Sequence, residues 1–195
     1  MARRGRRPGD PNTRGRILEA ARRAFARDGF RRTTIRLIAA EAEVDPALVY
    51  HYFRTKEELF AAAVHIPFGP AAAVEGVFAP GVAGAGERLA QLFFAIWETE
   101  PSREALLGQL RRAMSDPEGP VPMVEFVTGA LLPRVASHLP GDDRELRVEM
   151  AVAQLLGIAI MRYALRLEPL ASTPVQQVIA QVAPRLEDYL HSRDG

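Results

Sequence analysis

The chain has 195 residues, 48% of them apolar, with 25 Lys and Arg against 24 Asp and Glu and no cysteine. That length and composition suit a folded protein with one or two buried cores, and the missing cysteine excludes disulfide scaffolds, thiolate zinc sites and cysteine nucleophiles. No apolar run reaches the ~18 residues of a membrane span; the Met-Ala-Arg-Arg-Gly-Arg-Arg start is followed by Pro-Gly-Asp-Pro-Asn-Thr, where an export signal needs an apolar stretch, so a cytoplasmic location is expected.

Residues 1–12, with Arg3, Arg4, Arg6 and Arg7, read as a flexible basic arm that can follow a nucleic-acid backbone or serve only as a solubilising tail. The first predicted helix carries Ile17, Ala20, Ala21, Ala24 and Phe25 and is closed by Gly29-Phe30. Thr34 is positioned to cap a second, short helix whose inner face is Ile35, Ile38, Ala39 and Ala42. After Glu43-Val44, Asp45 is a good N-cap and Pro46 suits the first helical position, so a third helix starts there. Val49 and Phe53, four apart, face inward, which turns Pro46, Ala47, Tyr50 and His51 outward. Thr55 to Glu58 has capping-box spacing, with the Glu58 side chain expected back at Thr55, and opens a fourth helix whose N-terminus is a natural phosphate seat.

Charge is distributed to match. Residues 1–60 hold 14 Lys and Arg and 8 Asp and Glu, whereas the remainder holds 11 and 16. A basic module joined to an acidic partner domain is the footprint of phosphate neutralisation at one end only.

The span from residue 13 to residue 64 resembles the N-terminal domain of the TetR family of bacterial transcriptional regulators, through the first-helix pattern, Thr33-Thr34, Ala39, Val44, the Leu-Val-Tyr-His-Tyr-Phe run, Lys56 and Leu59. The resemblance implies Arg36 as a base or phosphate donor, Pro46, Ala47, Tyr50 and His51 at base edges, and Thr34, Tyr52 and Lys56 on phosphates. Arginine is the commonest guanine reader and small apolar groups suit a thymine methyl. Lys56 is also the only lysine in the chain. Two positions depart from the family pattern. Glu43 stands where glycine is common and must accept a left-handed conformation at about 1 kcal/mol, and Leu48 is large and apolar beside the reading face.

Beyond His65, the residues Pro67, Gly69, Pro70, Pro80, Gly81, Gly84 and Gly86 read as a broken connection into a second helical domain, 65–195. Its predicted helices run from Gly86 to Glu98, with Leu89, Leu92, Phe93, Ile96 and Trp97 on one face; from Pro101 with Leu106, Leu110 and Met114; and from about Pro122 to Leu139, bent or split by Pro133. The stretch Met150 to Met161 is apolar nearly all round and must be buried on two sides, with Ala151, Leu155, Ile158 and Ala159 as candidates to face a second copy. Thr173-Pro174-Val175-Gln176 offers another capping box, opening a last helix with Val178, Ile179, Val182, Leu186, Tyr189 and Leu190.

The expectation is an all-α homodimer: a helix-turn-helix domain that binds a palindromic double-stranded DNA operator, and a second domain for dimerisation and, as the family resemblance implies, for a small hydrophobic effector. Candidate effector contacts are Phe93, Trp97, Met123, Phe126, Met161 and Arg162, with Met114 and Tyr163 nearby in type; each has a plain core reading as well. Arg162 needs a partner, an acid such as Glu98 or Glu125, or an anionic ligand. His51, His65, His138 and His191 have no metal-site spacing, and no nucleophile elbow or phosphate loop occurs, so neither cofactor nor catalysis is expected. Two rivals remain: an activator or ligand-independent regulator of the same fold, and a helical partner-binding protein whose helix-turn-helix no longer binds DNA.

Overall fold

The computed structural model describes residues 12–115 and 121–191 and is all-helical over them. The basic arm at residues 1–11 lies outside the described residues. Helix α1 (Thr13–Arg32) is followed by α2 (Ile35–Glu41), α3 (Pro46–Tyr52) and α4 (Lys56–Ala63). Ile17, Ala20, Ala21, Ala24 and Phe25 are buried along α1 as their spacing predicts, and Gly29, at φ 79° and ψ 174°, breaks the helix to turn Phe30 inward. The rings of Phe25, Phe30 and Phe60 meet at 5.0 to 5.8 Å between centroids, in edge and stacked arrangements that favour aromatic pairs.

Within the segment read as a broken connection, Pro70 occupies the first turn of a helix, α5 (Pro70–Phe78), which the density of proline and glycine had concealed. Then come α6 (Ala85–Glu98), α7 (Glu100–Ser115), α8 (Pro122–Phe126), a π-helical turn at Val127–Leu131, α9 (Leu132–Ala136), α10 (Arg144–Ala159), a second π-helical turn at Ile160–Ala164, and α11 (Val175–Leu190). The split expected at Pro133 is therefore a wider turn, in which the Leu132 N–H reaches back five residues to the Val127 carbonyl. No helix among the described residues is long and apolar enough to cross a membrane.

Helices α6, α10 and α11 enclose a core of Ala90, Phe94, Ala151, Leu155, Val178, Ile179, Val182 and Leu186. The closest approach is at Gly86, where an added Cβ would lie 2.5 Å from the Glu187 nitrogen and 2.6 Å from the Ala183 carbonyl oxygen of α11. The Glu187 carboxylate caps α6 across this contact, accepting from the N–H groups of Gly84 at 2.6 Å and Gly86 at 2.7 Å. A buried arginine absent from the sequence reading, Arg147, joins Asp143 at 2.7 Å and donates to the main chain at Pro140 and Tyr189.

Three local expectations are corrected. Ala151, Leu155 and Ala159, expected to face a second copy, are fully enclosed within the protomer, because helix α11 covers that side of α10. The capping box at Thr173 does not form: its hydroxyl donates to the Pro169 carbonyl at 2.8 Å. At α4 the Thr55 hydroxyl does accept the Glu58 N–H at 3.1 Å, but the Glu58 carboxylate passes Thr55 and takes the Arg54 N–H at 3.0 Å.

Candidate nucleic-acid interface

The reading element is built from local signals that agree with one another. Thr34 caps α2 by accepting the Leu37 N–H at 3.2 Å, and Asp45 caps α3 by accepting the Ala47 N–H at 2.8 Å, with Pro46 at the first helical position. Between the two helices Glu43 adopts φ 53°, the left-handed conformation that its place in the turn demands. The Val44 N–H bonds to the Ala39 carbonyl at 2.9 Å and the Glu43 N–H to that of Ala40 at 3.1 Å, the paired bonds of a Schellman ending. Arg16 braces the turn from α1, donating to the Ala42 carbonyl at 2.5 Å and reaching the Glu43 side chain at 3.5 Å.

Burial then decides which side of α3 is free. Val49 is 0% exposed and Phe53 3%, while Tyr50 is 54% exposed. Pro46, Ala47 and His51 are exposed with Tyr50, and Leu48 is half-buried. His51 and Tyr52 rest edge to face at 5.4 Å, holding each other at the helix end. Thr34 and Arg36 are exposed on the neighbouring α2, and Tyr52 is half-buried at the end of α3.

Lys56 is placed differently from the expectation. Its ammonium donates to the carbonyls of Phe30 at 3.0 Å, Thr33 at 3.3 Å and Arg31 at 3.5 Å, and stands 4.4 Å above the Phe30 ring. The lysine therefore ties α4 to the end of α1 and fixes the loop that leads into Thr34. An arginine fork would not direct one compact charge at three converging carbonyls in the same way, a physical reason for lysine here. Thr33, overlooked as a site, is fully buried and donates to the Gly29 carbonyl at 2.6 Å. At the other side of α1, Arg27 bridges Asp28 at 2.6 Å and Glu41 of α2 at 2.7 Å. The hydrogen bond from Arg27 holds the Asp28 carboxyl below its usual range.

Residues 17–63 match the model of the bacterial regulatory proteins of the tetR family, and residues 83–190, more than half of the chain, match the tetracyclin repressor-like C-terminal domain. The chain belongs to the TetR family. It is a helix-turn-helix transcriptional regulator of that family. A crystal structure of a TetR-family regulator from Streptomyces coelicolor A3 is similar over 96% of this chain and 99% of that one, at 36% identity and a TM-score of 0.58. Among curated relatives, the uncharacterized HTH-type transcriptional regulator YhgD of Bacillus subtilis is 46% identical over 44 residues, 23% of each chain. The HTH-type transcriptional regulator UidR of Escherichia coli K12 is 38% identical over 52 residues, 27% of this chain and 26% of that one. The chain thus spans about a quarter of the length of the curated relatives it matches.

In this TetR-family chain the predicted effector residues separate into distinct places. Phe93 and Phe126 line a cavity of about 150 Å³ in the second domain, together with Ile66, Leu89, Leu92, Ile96, Leu131, Val152 and Leu155 among others. Trp97 lies elsewhere, stacked on Tyr163 at 5.4 Å, and Arg162 beside them meets Glu98 at 3.6 Å and donates to the carbonyls of Leu170 at 2.5 Å and Thr173 at 2.7 Å. The partner that Arg162 needed is thus Glu98 and main chain. Tyr163 donates to the same Glu98 at 2.6 Å, and burial, then this bond, raises its pKa. Met123 packs on the first core, whereas Met161 and Met114 are exposed. The other cavity walls escaped the sequence reading because an apolar residue at helical spacing has the same signature whether it meets a neighbour or a void.

Proposed function

We propose that this regulator is a repressor that binds an inverted-repeat operator as a homodimer and leaves it when a small hydrophobic molecule occupies the second domain. The observation that carries DNA reading is the outward face of α3: Pro46, Ala47, Tyr50 and His51 are exposed on a helix whose opposite side is locked by Val49 and Phe53. In the major groove that face offers two small apolar groups for thymine methyls and two polar rings for base edges or phosphates, with Arg36 beside them as a guanine or phosphate donor. Thr34 and Tyr52 flank it as phosphate contacts. The Lys56 ammonium acts through the loop it holds, so any phosphate at α4 meets the helix N-terminus instead. The units are 13–64 for reading and 65–195 for dimerisation and sensing, in the cytoplasm, and the protein acts by binding rather than by catalysis.

Pairing with a second copy uses the side of α10 that α11 leaves open. Met150, Ala153, Gly157 and Met161 lie along that side, and Met150 and Met161 are 45% and 43% exposed. A helix that is apolar both inside and outside is a dimer element, and two protomers related by a two-fold axis bring two reading helices to half-sites about 34 to 36 Å apart or a multiple of it. The test is selection of genomic fragments by purified full-length protein at near-physiological salt, followed by sequencing. Recovery of a few sites sharing an inverted repeat supports the proposal; retention that is weak and vanishes with salt would leave only phosphate attraction and remove it.

A further inference from the structure

The cavity in the second domain has an unusual wall: its lining side chains are all aliphatic or phenyl, Leu92, Phe93, Phe126, Leu131, Val152 and Leu155 among them. A water molecule needs two to four polar partners and this lining offers no polar side chain, whereas apolar cavities of about 150 Å³ accept benzene. A ligand hydroxyl or amide buried here would lose its bonds to water and find no replacement. The chemistry therefore selects an uncharged molecule without hydrogen-bonding groups, about the size of one aromatic ring.

One wall residue belongs to two cores. Phe126 is 0% exposed; it faces the cavity and also packs against Phe60 at 4.9 Å and Phe30 at 5.3 Å in the reading domain. Its neighbour Glu125 accepts the Arg31 N–H at 2.7 Å, and the carboxylate fits there because Gly29 has no Cβ, which would lie 2.7 Å from Glu125 Oε1. Helix α8 is thus fastened to the end of α1 by an apolar plug and a polar clasp on consecutive residues. Immediately after Phe126 the chain enters the π-helical turn, and Val127 and Leu131 of that turn also line the cavity. On the far side of the clasp, Lys56 gathers the carbonyls of Phe30, Arg31 and Thr33, one residue before the cap of α2.

We propose that the cavity takes a non-polar, single-ring hydrocarbon and that Phe126 with Glu125 carries its occupancy to the helix-turn-helix through the end of α1. This rests on the sensing role proposed above and adds its ligand class and its route. Filling the cavity presses on the Phe126 ring and on the π turn, and because that ring rests directly on Phe30 and Phe60 while Glu125 holds the Arg31 N–H, the displacement passes to the end of α1.

The test follows backbone amide NMR signals of full-length protein during titration with benzene, and with phenol as a ring of similar size bearing one hydroxyl. Benzene is expected to produce saturable shifts at residues 127–132 and also at Phe30, Arg31 and Thr33, with phenol about tenfold weaker, the loss expected from one unsatisfied hydroxyl. Phe126→Leu should keep the benzene shifts around the cavity and lose those in α1; Glu125→Gln, at a partly exposed position, should diminish the Arg31 shift and serves as a second variant if the first does not fold. No saturable benzene shift, or equal binding of phenol, would overturn the ligand class. Shifts confined to the second domain in the unaltered protein would overturn the route. None of these readings uses DNA, so a protein that passes them yet selects no operator would cost the repressor proposal and leave this one intact.

Discussion

The two cores of this molecule are built from different side chains. In the reading domain, Phe25, Phe30 and Phe60, with Phe126 inserted from the second domain, meet ring to ring over a stripe of alanines that lets the helices close up. In the second domain, aliphatic and phenyl side chains line a pocket of about 150 Å³ beside a helix that widens into a π turn. Rings in direct contact pass a displacement from one to the next, whereas an apolar pocket can be altered by a small molecule. In the proposed function, the difference would set rigidity in the part that reads DNA and deformability in the part that responds to a ligand.

Truncation should expose that contrast most strongly. Phe60→Ala removes the ring at the centre of the aromatic cluster and should lower stability by about 3 to 5 kcal/mol in denaturant titration; a loss under about 1 kcal/mol would mean the first core is not close-packed. Gly86→Ala tests the contact between α6 and α11 in the second domain. Its Cβ would strike main-chain atoms of α11, so α6 and α11 must part, at about 2 to 3 kcal/mol.

Lys56→Ala should cost about 2 kcal/mol, since three main-chain carbonyls lose a charged donor. Tyr50→Ala, by contrast, should leave stability unchanged within about 0.5 kcal/mol, as expected for an exposed side chain away from the core. If Lys56→Ala left stability unaltered, its bonds to the end of α1 would not be a structural clamp. Glu43→Gly should add up to about 1 kcal/mol by relieving the left-handed conformation. The smallest effect concerns acid. Because Asp28 has a depressed folded pKa, its bond to Arg27 favours folding at neutral pH and is lost as pH falls through that depressed value. Asp28→Asn should therefore flatten the acid end of a stability-against-pH curve without changing its shape above neutrality.

The same contrast explains what the amino-acid sequence disclosed. Thr34, Asp45-Pro46 and the Val49–Phe53 pair act within one helical turn, so the caps and the outward face of α3 were legible from residue type and spacing, whereas the left-handed turn at Glu43 was implied by the family resemblance. Lys56 was legible as unusual but not in its role, because its partners at Phe30, Arg31 and Thr33 stand more than twenty residues away. Glu125 and Arg31, 94 residues apart, carry no mutual signal in the sequence at all. Phe93 and Phe126 were selected as large apolar groups and do line the cavity, whereas Trp97 and Arg162, selected by the same argument, are occupied by Tyr163 and Glu98. For the proposed dimer face, the position of α11 decides that Met150 and Met161, not Leu155, remain open in the protomer.

The most direct measurement is fluorescence anisotropy of a labelled inverted-repeat operator obtained by fragment selection, titrated with the unaltered protein and with Tyr50→Ala and His51→Ala, alongside a scrambled duplex of equal length at the same salt. The account predicts saturation at an even number of protomers per repeat, with each substitution weakening operator binding about tenfold or more and leaving the scrambled duplex nearly unaffected. Equal losses on both duplexes, or none on either, would contradict the claim that the exposed face of α3 reads the sequence.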